Sequence, residues 1–186
     1  LDWLAGEGVQ HLAMEASSHG LDQYRLDGVR ITAAAFTNIS HDHLDYHGSQ
    51  DAYLAAKLRL FAEVMPEGGI AVLNIDVPEF EKVRAVCASR RQLIITYGTD
   101  ARADFRLVSA EPGLCGQTVE VALNGQTHRV LLPLFGSFQA ENALAALALV
   151  IATGADSAAA VDALGHLRGV LGRAQLVAEL SNRAKV

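Results

Sequence analysis

The sequence predicts an α/β protein: a mostly parallel, doubly wound sheet flanked by helices, with an antiparallel β meander attached. Three observations carry this. Short apolar runs alternate with segments of helical period through roughly the first hundred residues. Residues 29–38 are apolar almost throughout, as in a strand covered on both faces of a parallel sheet. Beyond residue 104 the texture changes to short segments separated by Pro112-Gly113 and Asn124-Gly125, and Asn-Gly is a strong two-residue hairpin signal.

The elements follow in order. Residues 9–15 read as a first strand that ends in the carboxylate of Glu15, and residues 29–38 as a second. Residues 50–65 have helical period, with Leu54, Leu58, Phe61 and Met65 on one stripe, and Pro66-Glu67-Gly68-Gly69 ends them. A third strand is predicted at 70–75, a helix at 77–89 starting near Pro78, and a fourth strand at 92–97 closed by Gly98. The meander strands fall at 104–110, 117–123 and 127–132. An alanine-rich helix covers 137–153, and a second helix covers 157–167 with Asp156 as its cap. Residues 175–180 read as a final strand.

The chain has 186 residues and a net charge of -6, which suits one domain and argues against a nucleic-acid surface, since no basic run exists. The richest apolar segment, 143–152, is too short for a membrane span of ~18 residues or more. Cys87 and Cys115 form no metal spacing and read as reduced bystanders of a cytoplasmic protein. The chain begins Leu1-Asp2-Trp3 without a methionine, so it reads as a piece of something longer.

The densest chemistry lies just after the second strand. His41-Asp42-His43-Leu44-Asp45-Tyr46-His47 concentrates imidazoles and carboxylates, the groups that bind divalent metals and move protons. One reading is a zinc hydrolase with the pattern H-x-H-x-D-H. Tyr46 stands where that pattern needs its last histidine, and His47 comes one residue late. The other is that one histidine meets a metal while the rest shape the loop. Glu15, followed by Ala16-Ser17-Ser18-His19-Gly20, either holds a metal or ligand or belongs to a capped helix start. Lys57 sits between Leu54 and Phe61 on the apolar stripe and either snorkels or is chemically special. Gly136-Ser137-Phe138 opens the long helix, where Asn142 could read an adenine edge.

Taken together, Met14 to Leu21, Thr37 to Gly48, Ala55-Ala56-Lys57, Leu73-Asn74-Ile75-Asp76, Gly136-Ser137-Phe138 with Asn142, and Gly172-Arg173 occur in one order. In that order they resemble the central, ATP-binding domain of the Mur ligases, within them the UDP-N-acetylmuramoyl-tripeptide synthetase (MurE) type. The resemblance implies an ATP-dependent acid–amino-acid ligase of peptidoglycan precursor synthesis. Such enzymes add the third amino acid to UDP-MurNAc-L-Ala-D-Glu through an acyl phosphate. It implies Mg²⁺ on Glu15 and His43, and a carbamylated Lys57 beside a second Mg²⁺. Ser17, Gln23 and Arg25 then meet the UDP-muramyl peptide, Asn142 meets the adenine, and Arg173 lies near the nucleotide phosphates. Residues 1–173 would be the central domain and 174–186 the start of a C-terminal domain or tail.

The departures are specific. The G-x-x-x-x-G-K-[ST] phosphate loop is not in this sequence; in the family it lies before the segment matched here. Gln139 stands where the family usually has asparagine, and Ala174-Gln175 where it has Met-Glu. The expectation is a sheet lacking its phosphate-loop portion, whose partners are the N- and C-terminal domains of the same ligase, and a chain inactive by itself. Two other classes stay open. A non-catalytic nucleotide- or metal-binding module of the same fold predicts no added group on Lys57. A hydrolase built on the His41–His47 cluster predicts zinc on two or three histidines. Nothing in these residues chooses between diaminopimelate and lysine as the added amino acid.

Overall fold

A computed structural model describes residues 2–39 and 44–169. Its centre is one six-stranded sheet in sequential order, β1 (Ala33–Phe36), β2 (Ile70–Asn74), β3 (Leu93–Gly98), β4 (Phe105–Gly113), β5 (Gly116–Leu123) and β6 (Gln126–Leu132). The pairs from β1 to β4 are parallel and those from β4 to β6 antiparallel, so the parallel half and the meander share one sheet. The register sets Val72 opposite Ala35 and Ile95.

Helices cover both faces of the parallel half. After the short N-terminal helix α1 (Asp2–Gly6), one face carries α2 (Ser18–Asp22), α4 (Gln50–Arg59) and α5 (Phe80–Ser89), with the short α3 (Leu44–His47) leading into α4. On that face Ala34, Phe36, Ala71 and Leu73 pack against Leu21, Leu54, Phe61 and Val83. The opposite face holds α6 (Ser137–Ala152) and α7 (Ser157–Ala163). There Val72, Tyr97, Val121 and Leu132 meet Leu144, Leu147 and Val161. Alternate residues of β2 thus enter different cores, which is why the strand is apolar throughout. A fully buried leucine such as Leu144 contributes roughly 2 kcal/mol.

Local chemistry explains the boundaries. Asp156 caps α7 by accepting from the Ala159 N–H at 2.9 Å, as its position in the sequence suggests. The β5–β6 hairpin turns at Asn124 and Gly125, both with positive φ (51° and 75°), the type I′ geometry that matches strand twist. β4 starts beside the end of β3, with Tyr97 opposite Phe105, and runs on past it. That offset lets a short link, residues 99–104, join two parallel strands without returning along β3. The link is tied by Asp104, which accepts from the Thr96 main-chain N–H and hydroxyl at 2.8 and 2.7 Å.

Several sequence expectations change. Residues 9–15, predicted as a strand, belong to no strand, and Val9, Leu12 and Met14 are 43, 52 and 50% exposed. A strand of this composition needs a ladder partner, and among the described residues β1 pairs only with β2. The predicted strand at 29–38 shortens to Ala33–Phe36. The predicted helix at 50–65 ends as α-helix at Arg59 and closes in a π-helical turn, Leu60–Val64, through a Met65 N–H to Leu60 carbonyl bond of 2.8 Å. Buried Gln92 donates to the Phe61 carbonyl of this turn at 2.8 Å. The helix predicted from 77 starts at Phe80. The helix predicted over 157–167 finishes in a 3-10 turn, Leu164–His166. Residues 175–180 lie outside the described residues. No helix among the described residues is long and apolar enough to cross a membrane.

Candidate active site

Lys57 lies on α4, half-buried, and its Nζ donates to the main-chain carbonyl of Ala16 at 3.2 Å. Burial lowers its pKa from the ordinary lysine value, and the Glu15 carboxylate pulls it part of the way back. Two residues chosen from distant parts of the sequence therefore act on each other in the fold. Glu15 is exposed and lies just before α2.

The segment after Glu15 is fixed by its own chemistry. Ser17 caps α2, its hydroxyl accepting from the Gly20 N–H at 3.1 Å, which leaves its O–H as a donor. Gln23 and Arg25 come together at 2.5 Å, Arg25 Nη2 donating to Gln23 Oε1. Gln23 Nε2 donates to Tyr46 Oη at 3.2 Å, and Tyr46 Oη donates to Asp22 Oδ2 at 2.9 Å. The Tyr46 ring lies 4.0 Å from His19, centroid to centroid, while His47 stacks on Tyr53 at 5.2 Å.

Arg59 fastens this segment to α4. Its guanidinium donates to the Leu21 carbonyl, pairs with Asp27 at 3.4 Å and lies 4.0 Å over the Tyr24 ring, whose residue carries a φ of 59°. Lys57 and Arg59, two positions apart on one helix, thus hold the Ala16 and Leu21 carbonyls, before and within α2.

A second group sits where the parallel strands end. Asn74 is buried at the end of β2 and accepts from the Asp76 N–H at 2.9 Å. Asp76 accepts from the Thr99 N–H and hydroxyl at 2.5 and 2.9 Å and from the Asp100 N–H at 3.1 Å, so it braces the loop after β3. Burial pushes the Tyr97 hydroxyl far above its usual pKa, and the charge of Glu141, in the second turn of α6, adds to this. The start of α6 therefore faces the same strand ends, and Asn142 is exposed there. Gln117, buried on β5, donates to the Leu134 and Gly136 carbonyls at 3.2 and 3.0 Å and fixes the approach to α6.

Of the residues singled out in sequence, the structure brings Glu15 to Lys57 and Gln23 to Arg25, and sets Asn142 on the separate α6 start. His41, Asp42, His43 and Arg173 lie outside the described residues. Among the described residues no group of three or more His, Cys, Asp or Glu side chains could hold a metal. Sequence reasoning missed Arg59 and Gln117. Arg59 follows Lys57 by two positions with Glu63 four beyond it, which signals a helical ion pair and nothing of the loop it fastens. Gln117 carries no local signal.

Residues 2–150 match the Mur ligase middle domain family. The chain is 49% identical over 174 residues to UDP-N-acetylmuramoyl-L-alanyl-D-glutamate–2,6-diaminopimelate ligase of Caulobacter vibrioides, covering 94% of this chain and 36% of the relative. It is 46% identical to the ligase of the same name from Bradyrhizobium diazoefficiens, covering 96% and 38%. A solved structure of a ligase of that name superposes with a TM-score of 0.85 at 35% identity, covering 94% of this chain and 36% of that one. A MurF structure from Acinetobacter baumannii shares the fold at a TM-score of 0.73 and 22% identity. The chain spans little more than a third of the length of these curated relatives. The match over most of the sequence makes the chain a member of the Mur ligase middle domain family.

Proposed function

We propose that the chain is the ATP-binding middle part of a cytoplasmic ligase of peptidoglycan precursor synthesis. The ligase would join an amino acid, 2,6-diaminopimelate by the names of the relatives, to UDP-MurNAc-L-Ala-D-Glu. The observation that carries the reading is Lys57: a half-buried amine of lowered pKa, held on the Ala16 carbonyl beside Glu15.

The donor set suits Mg²⁺. Glu15 offers hard carboxylate oxygen, and a lysine ammonium beside it would repel a cation, whereas a carbamate would add two oxygens. A lowered pKa leaves more of the amine neutral, and the neutral amine is the form that attacks CO₂ and then loses a proton. Glu15 and His43 would hold one Mg²⁺ and carbamylated Lys57 a second, and the ions would neutralise charge on the nucleotide phosphates. Asn142 would read the adenine edge and Arg173 would face the phosphates. Ser17, Gln23 and Arg25 would grip the UDP-muramyl dipeptide.

The chemistry then asks mainly for positioning. A substrate carboxylate oxygen attacks the γ-phosphorus and ADP leaves. The incoming amine attacks the acyl carbon, phosphate leaves, and the amine proton passes to solvent. Residues 1–173 would form the middle domain and 174–186 lead into a further domain.

The test uses the intact ligase carrying this segment, supplied with ATP, Mg²⁺, UDP-MurNAc-L-Ala-D-Glu and diaminopimelate. Tripeptide, ADP and phosphate should form in equal amounts, Lys57→Ala should lose most of that activity, and the 186-residue chain alone should make none. Absence of tripeptide from the intact protein, or full activity in Lys57→Ala, would overturn the proposal.

A further inference from the structure

We infer that Tyr46 is a positioning residue for the substrate grip, setting the orientation of Gln23 and through it Arg25; this rests on the function proposed above. In the sequence Tyr46 occupies the place where a zinc hydrolase has histidine. In the fold its hydroxyl is the middle of a chain of hydrogen bonds that runs in one direction. Tyr46 Oη gives its proton to Asp22 at 2.9 Å. Its lone pair therefore faces Gln23 Nε2, at 3.2 Å. That turns Gln23 Oε1 toward Arg25 Nη2, at 2.5 Å.

The two ends leave no freedom in this polarity. An ionised carboxylate only accepts and a guanidinium only donates, so every proton between Asp22 and Arg25 has one place to be. A glutamine amide has nearly equivalent ends, and without such a chain either end could face the substrate. Arg25 demands the oxygen end of the amide; what Tyr46 adds is a second anchor, on Nε2, that keeps the amide plane from swinging. It leaves Arg25 with its remaining donors in a held plane, the geometry that recognises a carboxylate or phosphate through paired bonds. The ring is held by other means, lying 4.0 Å from His19 and 4.8 Å from His47. Removing only the hydroxyl therefore separates orientation from packing.

The experiment is steady-state kinetics of the intact ligase with Tyr46→Phe, Gln23→Ala and the double variant. Tyr46→Phe should raise KM for UDP-MurNAc-L-Ala-D-Glu about threefold to tenfold, the loss of one modest hydrogen bond. KM for ATP and kcat should stay unchanged. In the Gln23→Ala background the same change should add almost nothing, because the hydroxyl acts through that amide. An unchanged KM in Tyr46→Phe, an equal effect on ATP, or additive effects in the double variant would overturn the inference while leaving the ligase reading intact. An unmutated ligase that makes no tripeptide would overturn both, and is told apart by its own inactivity.

Discussion

Lys57 and Ala16 are joined by a hydrogen bond of 3.2 Å from amine to main-chain carbonyl, across 41 positions of sequence. The bond places an amine-bearing side chain at the rim of the core, against the segment that leads into α2. Its consequence is electrostatic. Desolvation lowers the pKa of Lys57 in the folded chain, with Glu15 opposing that effect.

The sign of the resulting pH dependence follows. Between the lowered folded pKa and the ordinary value of 10.5, the unfolded chain binds the proton and the folded chain does not. Stability contributed by this site is therefore lowest at neutral pH and rises as pH climbs through that window. Lys57→Met removes the titration. Urea unfolding of both proteins from neutral pH to about 10.4 should show the original gaining on the variant as pH rises. A constant difference would show that Lys57 keeps its ordinary pKa.

Arg59 makes the second prediction. Its side chain is only 13% exposed although charged, and it fills several roles at once. The pairs with Asp27 and Glu63 reach carboxylates about half exposed, so they matter little. The Leu21 carbonyl and the Tyr24 ring are what it holds. Arg59→Ala should lower the thermal midpoint and speed proteolysis within residues 17–28 severalfold. Glu63→Gln should do neither. Arg59→Lys should rescue only part, since an ammonium lacks the flat fork that bonds and stacks together.

Two glycines of the meander separate strain from space. Gly116 has φ of 125°, and a Cβ there would run into the Leu132 carbonyl and lie 2.8 Å from Pro133 Cα, both main-chain atoms of the next strand and its exit. Gly125 has φ of 75° with nothing within 4 Å of such a Cβ. Gly116→Ala should cost about 3 kcal/mol or more and Gly125→Ala about 1 kcal/mol in denaturant unfolding. Equal costs would mean that the β5–β6 register yields to the methyl group.

How much of this was legible beforehand depended on how local the cause was. Asn124-Gly125 and Asp156 act on their neighbours, so turn and cap were readable in place. Strands such as 70–74, buried on both faces, declared themselves by composition. Residues 9–15 misled because their apolar pattern states what they bury against without supplying the partner. The π-helical turn was invisible because its carbonyl is satisfied by Gln92, far along the chain. At the site, the His41–His47 run suggested metal chemistry by residue type. Glu15 and Lys57 each kept two readings, a capped helix start or a ligand site for the first and snorkelling or special chemistry for the second. The distant contacts of Arg59, Tyr46 and Gln117 arise only once loops meet.

Gln117 offers the sharpest test of that last point. Its amide donates to two carbonyls, Leu134 and Gly136, from a position 4% exposed. Those carbonyls belong to the segment entering α6, whose first turns carry Asn142. Gln117→Met keeps the length and removes both donors, stranding two carbonyls at a cost of about 1–3 kcal/mol. Gln117→Glu should cost more, because it sets a carboxylate oxygen against two carbonyl oxygens where an N–H stood. In the intact ligase the methionine variant should raise KM for ATP severalfold and leave KM for UDP-MurNAc-L-Ala-D-Glu alone. That is the reverse of the pattern expected for Tyr46→Phe, since the proposed function has the two residues brace opposite substrates from different elements. If both KM values moved together in either variant, the two halves of the site would be one mechanical unit, and the assignment of Asn142 to the nucleotide would lose its support.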